Sequence, residues 1–291
     1  MKNTDKNMKK LISQKIKKQP EYKYSYRPTW AEINLTNLKF NLNQVRKKTG
    51  PGVKVMAVVK ANAYGHGIVE VSRAFVSCGV DYLGVATLDE GIWLRQAGLE
   101  IPVLNLGSVL EPEAEQLVKW KITQTVTSVE TVKQINKYAG KMKVKAKVHL
   151  NIDTGMHRLG VRLDEVLDIV KSLRQLKNIK LEGVYTHFPI APRTDRKSRK
   201  FTSDQIIKFT KIKEDLVNSG ANIKLFHCAN SAAVMSLKQA HFNLVRPGVM
   251  LYGISPSIAI TEEVGLKLKP VLSLKTRITH IRTVSAKEGV G

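Results

Sequence analysis

Short apolar runs alternate with helix-spaced apolar positions along most of this chain. The candidate strands are Val53–Val59, Tyr82–Thr87, Ile101–Leu106, Ile122–Val126, Ala146–Ile152, Leu181–His187, Ile223–His227 and Leu244–Leu251. Helical spacing fills the gaps at Val69–Cys78, Leu88–Gln96, Pro112–Trp120, Val129–Tyr138, Leu163–Leu173 and Asp204–Asn218. Strands alternating with helices predict parallel βαβ units. Eight such units in one run predict a closed (β/α)₈ barrel of the TIM type rather than an open sheet. Runs such as Val55-Met56-Ala57-Val58-Val59 are apolar on consecutive residues, as expected of a strand buried on both faces. Upstream, a short strand over Thr29–Asn34 leads into a helix with apolar Leu38, Leu42 and Val45, Thr36 as its predicted cap and Gly50 as its stop.

The pattern changes at both ends. Residues 1–27 are polar and basic with no apolar period, which predicts a disordered tail. The barrel, with its leading strand and helix, is assigned to 28–252. After Gly253, Leu272–Arg277 and Ile278–Val284 read as strands with no helix between them, so 253–291 is expected to be a linker and the first strands of a truncated β-rich domain. A barrel needs about 250 residues, which the 291 available accommodate.

Composition narrows the classes. No apolar stretch approaches the roughly 18 residues of a membrane span, and no apolar core follows the basic N-terminus as in a secretory signal. Cys78 and Cys228 form neither a disulfide framework nor a zinc pattern, so no metal is expected and a reducing, cytoplasmic compartment is. The net charge is +24, with 35 Lys against 13 Arg. A balance this basic raises binding of nucleic acid or anionic lipid as a reading. The excess of Lys, a poor bidentate reader, and the lack of aromatics among the basic clusters speak against it. Lys143, Lys145 and Lys147 alternate with apolar residues and read as a solvated edge.

Barrels of this kind carry their sites at the C-terminal ends of the strands. There the sequence places Lys60, then Asp153-Thr154-Gly155-Met156-His157-Arg158, His187, His227-Cys228-Ala229-Asn230-Ser231 and Arg246-Pro247-Gly248. The opposite rim shows no such concentration. Lys60 leaves an apolar run, and a desolvated lysine favours the neutral, nucleophilic amine.

The string Ala57-Val58-Val59-Lys60-Ala61-Asn62-Ala63-Tyr64-Gly65-His66-Gly67 resembles the pyridoxal phosphate attachment signature of alanine racemases. Arg158-Leu159-Gly160, Tyr185-Thr186-His187-Phe188, Ala229-Asn230-Ser231-Ala232, Arg246-Pro247-Gly248 and Tyr252-Gly253 resemble further blocks of that family, in its order, over residues 28–291. The resemblance implies a barrel followed by a β domain, pyridoxal phosphate carried on Lys60, and racemisation of alanine for the peptidoglycan of the cell wall. It implies that Tyr64, Asn230, Ser231, Gly248 and Val249 hold the phosphate, with Tyr252 also at the cofactor. Arg246 would face the pyridine nitrogen, and a guanidinium does not hand over a proton there. Arg158 would meet the phenolic oxygen and the substrate carboxylate, and His187 would line the ring. His227 is expected behind these, and His66 and His149 in structural roles.

The resemblance also implies a homodimer, and it leaves a gap. Two-base racemisation needs a proton acceptor on each face of the α-carbon; Lys60 serves one. The second, a tyrosine opening the β domain and reaching across the dimer, is expected beyond Ala286–Gly291, so the chain reads as a fragment that is inactive alone. Where many relatives have a carbamylated lysine near the arginine, this sequence has Asn151, and residues 191–200 form an unusually basic loop. A racemase of another amino acid, or a non-catalytic pyridoxal phosphate-binding barrel, stays open as an alternative.

Overall fold

The computed structural model describes residues 26–291; most of the expected basic tail lies outside the described residues. Two compact units divide the chain, one spanning Ile33–Leu272 and the other formed by the residues before it and by Ser273–Gly291.

The large unit opens with α1 (Leu35–Thr49). Its cap is Asn34, whose side chain accepts from the Asn37 amide, and not Thr36; the better-placed Asn wins two positions earlier. Gly50 ends it with a positive φ of 77°. Parallel strands and helices then alternate: β2 (Lys54–Val58), α2 (Ile68–Ser77), β3 (Tyr82–Val85), α3 (Leu88–Gln96), β4 (Val103–Asn105), α4 (Glu113–Lys119), β5 (Thr123–Val126), α5 (Val129–Lys141), β6 (Ala146–Asn151), α6 (Val166–Arg174), β7 (Ile179–Tyr185), α7 (Arg196–Asn218), β8 (Leu225–His227), α8 (Ser231–Ser236) and β9 (Leu244–Val245). Their order, β8-β7-β6-β5-β4-β3-β2-β9, makes an eight-stranded, nearly closed barrel, as the alternating pattern predicts.

The seam between β8 and β9 is closed by the Asn243 side chain together with backbone bonds from the Asn243 amide to the Phe226 carbonyl and from the Arg246 amide to the Ala229 carbonyl. Asn243 Oδ1 accepts from the Phe226 amide at 2.8 Å, and its Nδ2 donates to the Lys224 carbonyl at 2.7 Å. Along β2 the two faces serve two cores. Val55 and Ala57 join the large cluster under the helices, while Met56 packs inside the barrel with Tyr82, Leu104, Leu225 and Leu244.

Further expectations need correction. The last barrel strand was expected to run to Leu251 but stops at Val245, because Pro247 offers no amide to a ladder, and Val249–Tyr252 is a 3₁₀ turn. The helix expected from Asp204 begins at Arg196, so much of the basic 191–200 stretch is its first turn, capped by Asp195. Lys143 and Lys145 are exposed as expected, but Lys147 is half-buried, with Nζ 2.9 Å from Glu182. The interior near the N-terminal ends of the strands is therefore polar, with Glu182, Tyr82 and His149 together.

In the second unit, β1 (Thr29–Ile33) pairs with β10 (Leu272–Thr276). Ile278–Val284, expected as a strand, has no strand hydrogen bonding. The apolar residues there are spaced without a partner to pair with, and Ile278 and Ile281 are exposed.

Replacing Asn243 with Ala should leave the Phe226 amide unsatisfied and cost about 1–3 kcal/mol. Urea unfolding of the variant should show a lower midpoint with an unchanged slope.

Candidate active site

The chain after β2 does something the apolar pattern does not announce. Ala61, Asn62, Ala63 and Tyr64 all have φ near +53°, a single left-handed turn of non-glycine residues. Each such residue costs about 1–2 kcal/mol, so the turn persists only where its surroundings hold it. Asn62 Oδ1 accepts from the Ile68 amide at 2.8 Å, Glu90 accepts from the Asn62 and Ala86 amides, and His66 Nδ1 meets the carbonyls of Ala63 and Tyr64 at 3.0 Å. The turn delivers Lys60 and Tyr64 to one cavity of about 420 Å³ at the C-terminal ends of the strands.

That cavity gathers most of the predicted residues: Lys60, Tyr64, Arg158, His187, Asn230, Ser231, Arg246, Gly248 and Val249 line it, together with Asn151 and Tyr185. Tyr252 does not. It is 1% exposed, donates its hydroxyl to the Val58 carbonyl at 3.0 Å and packs behind Tyr64 with ring centres 5.0 Å apart. Its expected place at the cofactor is corrected to a support for Tyr64. Lys60 is only partly buried, so the full desolvation expected of it is not met.

One corner of the cavity is built for close approach. Ser231 Oγ accepts from the Gly248 amide at 2.9 Å, and Asn230 caps α8 through the Ala233 amide. The first amides of α8 have no carbonyl behind them within the helix. A Cβ on Gly248 would lie 2.5 Å from the Tyr64 hydroxyl, so only glycine lets the tyrosine reach this corner. Burial raises the Tyr64 pKa, which keeps its hydroxyl a donor.

On the far wall, Arg246 is 4% exposed. It donates to the carbonyls of Thr186 and His227, to His227 Nδ1 at 2.8 Å and to His187 Nδ1 at 3.3 Å, and it lies 4.9 Å above the Tyr185 ring. Burial, and then the positive charges of Arg246, Arg158 and Lys60, push the His187 pKa down to about 3. His187 is therefore a neutral imidazole at working pH and not an acid.

Arg158 is set by the Asp153 turn. The Asp153 carboxylate accepts from the amides of Gly155, Met156 and His157 at 2.8–3.1 Å. Partial burial opposes ionisation, but those amides hold its carboxyl below the usual value. The Asp-Thr-Gly-Met motif thus folds a loop rather than supplying a catalytic acid. Among the described residues no carboxylate pairs with Arg158 or Arg246, and none lines the cavity. Three cations around one cavity make it an anion site.

A larger cavity of about 800 Å³ lies at the other end of the barrel, between Arg95, Trp120, Lys121 and Lys147. Its lining residue Lys147 pairs with the buried Glu182 at 2.9 Å. Tyr185, read from the sequence only as part of a resemblance block and without a role, bonds Thr125 through its hydroxyl at 3.0 Å and carries Arg246 on its ring.

Known proteins resemble this chain in sequence and in fold. Residues 33–256 match the family profile described as "Alanine racemase, N-terminal domain". The chain is 43% identical to an alanine racemase of Halothermothrix orenii over 91% of its own length and 68% of the relative's. It is 43% identical to one of Methanococcus maripaludis over 88% of its length and 68% of the relative's. A solved alanine racemase of Clostridium difficile 630 superposes with a TM-score of 0.85 at 41% identity, covering 89% of this chain and 71% of that one.

Because the folded protein keeps His187 neutral while an unfolded imidazole titrates near 6.5, the stability it contributes is full above that value. It is lost as the pH falls toward 3. Near pH 5 the loss should be about 2 kcal/mol. Urea unfolding near pH 7.5 and pH 5 measures it, and His187→Gln should remove that share of the pH dependence.

Proposed function

The chain belongs to the alanine racemase family, and from that premise we propose that it binds pyridoxal phosphate on Lys60 and serves the racemisation of alanine. The observation that carries this reading is one cavity that joins a lysine amine to two guanidiniums and a glycine-floored corner of amides, with no carboxylate among its lining. A phosphate and a carboxylate are the anions such a set accepts together.

The residues fit the cofactor by their donor set. Gly248, Val249, the first amides of α8, Ser231 and the Tyr64 hydroxyl would hold the phosphate, with Asn230 shaping that turn. Arg246 would face the pyridine nitrogen as a donor that keeps its own proton. Pyridoxal phosphate supplies an aldehyde that condenses with amines and a ring that withdraws electrons from the α-carbon. Arg158 holds the amino acid's carboxylate and so fixes which face its Cα–H presents to Lys60. Lys60 Nζ would take or return the α-proton on one face. His187, neutral and held by Arg246, fills the wall beside the ring without competing for that proton.

The opposite face needs a second proton-transfer group. In this proposal it comes from a β domain of a partner subunit in a homodimer. The product, D-alanine, would serve peptidoglycan synthesis in the cytoplasm.

Adding pyridoxal phosphate, reducing with borohydride and mapping peptides by mass should place the label on Lys60. Label scattered over surface lysines, with Lys60 bare, would overturn the reading. Gly248→Ala, by displacing the Tyr64 hydroxyl, should weaken cofactor retention roughly tenfold, the loss of one charge-assisted hydrogen bond. Equilibrium dialysis against pyridoxal phosphate measures this.

A further inference from the structure

Arg246 is the start of a buried chain that runs down the barrel axis. His227 Nδ1 receives the Arg246 guanidinium at 2.8 Å. His227 Nε2 lies 2.9 Å from His149 Nδ1. His149 Nε2 is buried with no partner inside hydrogen-bond range and aims at Glu182 Oε2, 3.7 Å away. Glu182 accepts from the Tyr82 hydroxyl at 2.7 Å and pairs with Lys147 at 2.9 Å. Both histidines are 0% exposed.

The backbone is shaped to permit this. The β6–β7 register pairs Val148 with Leu181 and His149 with Gly183, which leaves Glu182 as the extra residue of a bulge. A bulge re-aims a side chain, and here the carboxylate reaches the barrel interior. The next residue must be glycine, since a Cβ on Gly183 would lie 2.7 Å from the His149 ring.

We propose that Glu182 is a positioning residue for Arg246: with Arg246 at the other end it fixes both buried histidines as Nε2–H tautomers, so that the hydrogen bonds Arg246–His227 and His227–His149 and the 3.7 Å approach of His149 to Glu182 all point the same way. The polarity has one solution. A guanidinium only donates, so His227 Nδ1 carries a lone pair and its proton is on Nε2. That proton faces His149 Nδ1, which must then accept, leaving the His149 proton on Nε2 toward Glu182. A carboxylate only accepts and closes the chain. Burial, reinforced at His227 by Arg246, holds both imidazoles below their usual pKa and keeps them neutral. Against its own burial, Glu182 is held well below the usual carboxylate range by His149, Tyr82 and Lys147. Glu182, whose charge is paired with Lys147, is thus the acceptor end of a chain that begins at a guanidinium touching no carboxylate among the described residues. Its effect on the cofactor's pyridine nitrogen rests on the function proposed above; the tautomers do not.

The test is nitrogen-15 NMR of the imidazole rings in protein labelled at histidine, at neutral pH, before and after adding pyridoxal phosphate. His149 and His227 should each show a protonated Nε2 and a lone-pair Nδ1 in both states. A protonated Nδ1 on either ring overturns the proposal, whether or not Lys60 takes the borohydride label; a bare Lys60 with both tautomers as stated would overturn only the cofactor reading. In Glu182→Gln the ammonium of Lys147 claims the carboxamide oxygen and turns the NH₂ toward His149. The His149 proton should then leave Nε2, and pyridoxal phosphate retention should fall roughly tenfold. A folded variant with both tautomers and retention unchanged also overturns the proposal. If the variant does not fold, the parent spectrum decides alone.

Discussion

A guanidinium buried without a touching carboxylate is the constraint on which this barrel's upper half depends. Leaving such a charge unpaired in a protein interior is among the costliest arrangements available. Arg246 is stabilised piecemeal, by carbonyls of Thr186 and His227 at the ends of β7 and β8, by two imidazoles and by the Tyr185 ring. Those partners converge only if the barrel closes. Asn243 and the Arg246 amide itself both bond across that seam, so the seam and the site are one piece of chain.

The same constraint explains the sign of the cavity. Placing Arg246 beside Arg158 and Lys60 with no acid in the lining makes a site of cations that repel one another until anions enter. His187 answers to that field as well as to burial, which is why it stays neutral there. The opposite mouth of the barrel is also rich in lysine, but there Lys147 and Lys180 have Glu182 to face. The two ends differ less in charge count than in whether carboxylates are admitted.

How far this was legible in the sequence depends on the kind of interaction. The alternation of strands and helices was readable because burial on two faces leaves long apolar runs, and most elements lie within two residues of their predicted ends. Lys60, Arg158, His187 and Arg246 were readable because polar residues at the ends of apolar strands stand out. Tyr252 was misplaced because nothing in a sequence tells whether a tyrosine hydroxyl faces a ligand or, as here, the Val58 carbonyl. Glu182 goes unread, and His149 is given only a structural role, for a different reason. A bulge shifts the inward and outward alternation by one residue, so period-two reading assigns Glu182 to the wrong face.

The left-handed turn after Lys60 shows why local preference could not have found the site unaided. Alanine is the best of helix formers, and Lys-Ala-Asn-Ala-Tyr read locally is an ordinary right-handed turn. The opposite hand is adopted because the anchors are elsewhere in the chain: Glu90 at the start of α3 takes the Asn62 amide, and Asn62 in turn takes the Ile68 amide at the start of α2. Two helices therefore set the strain in a turn that belongs to neither. The result is rigid placement of Lys60 and Tyr64 around one cavity, with the tyrosine hydroxyl resting against Gly248 beyond the neighbouring strand. A turn that followed its own propensity would be more stable by several of the roughly 1–2 kcal/mol increments involved, and it would not carry those two side chains to the same corner along this path.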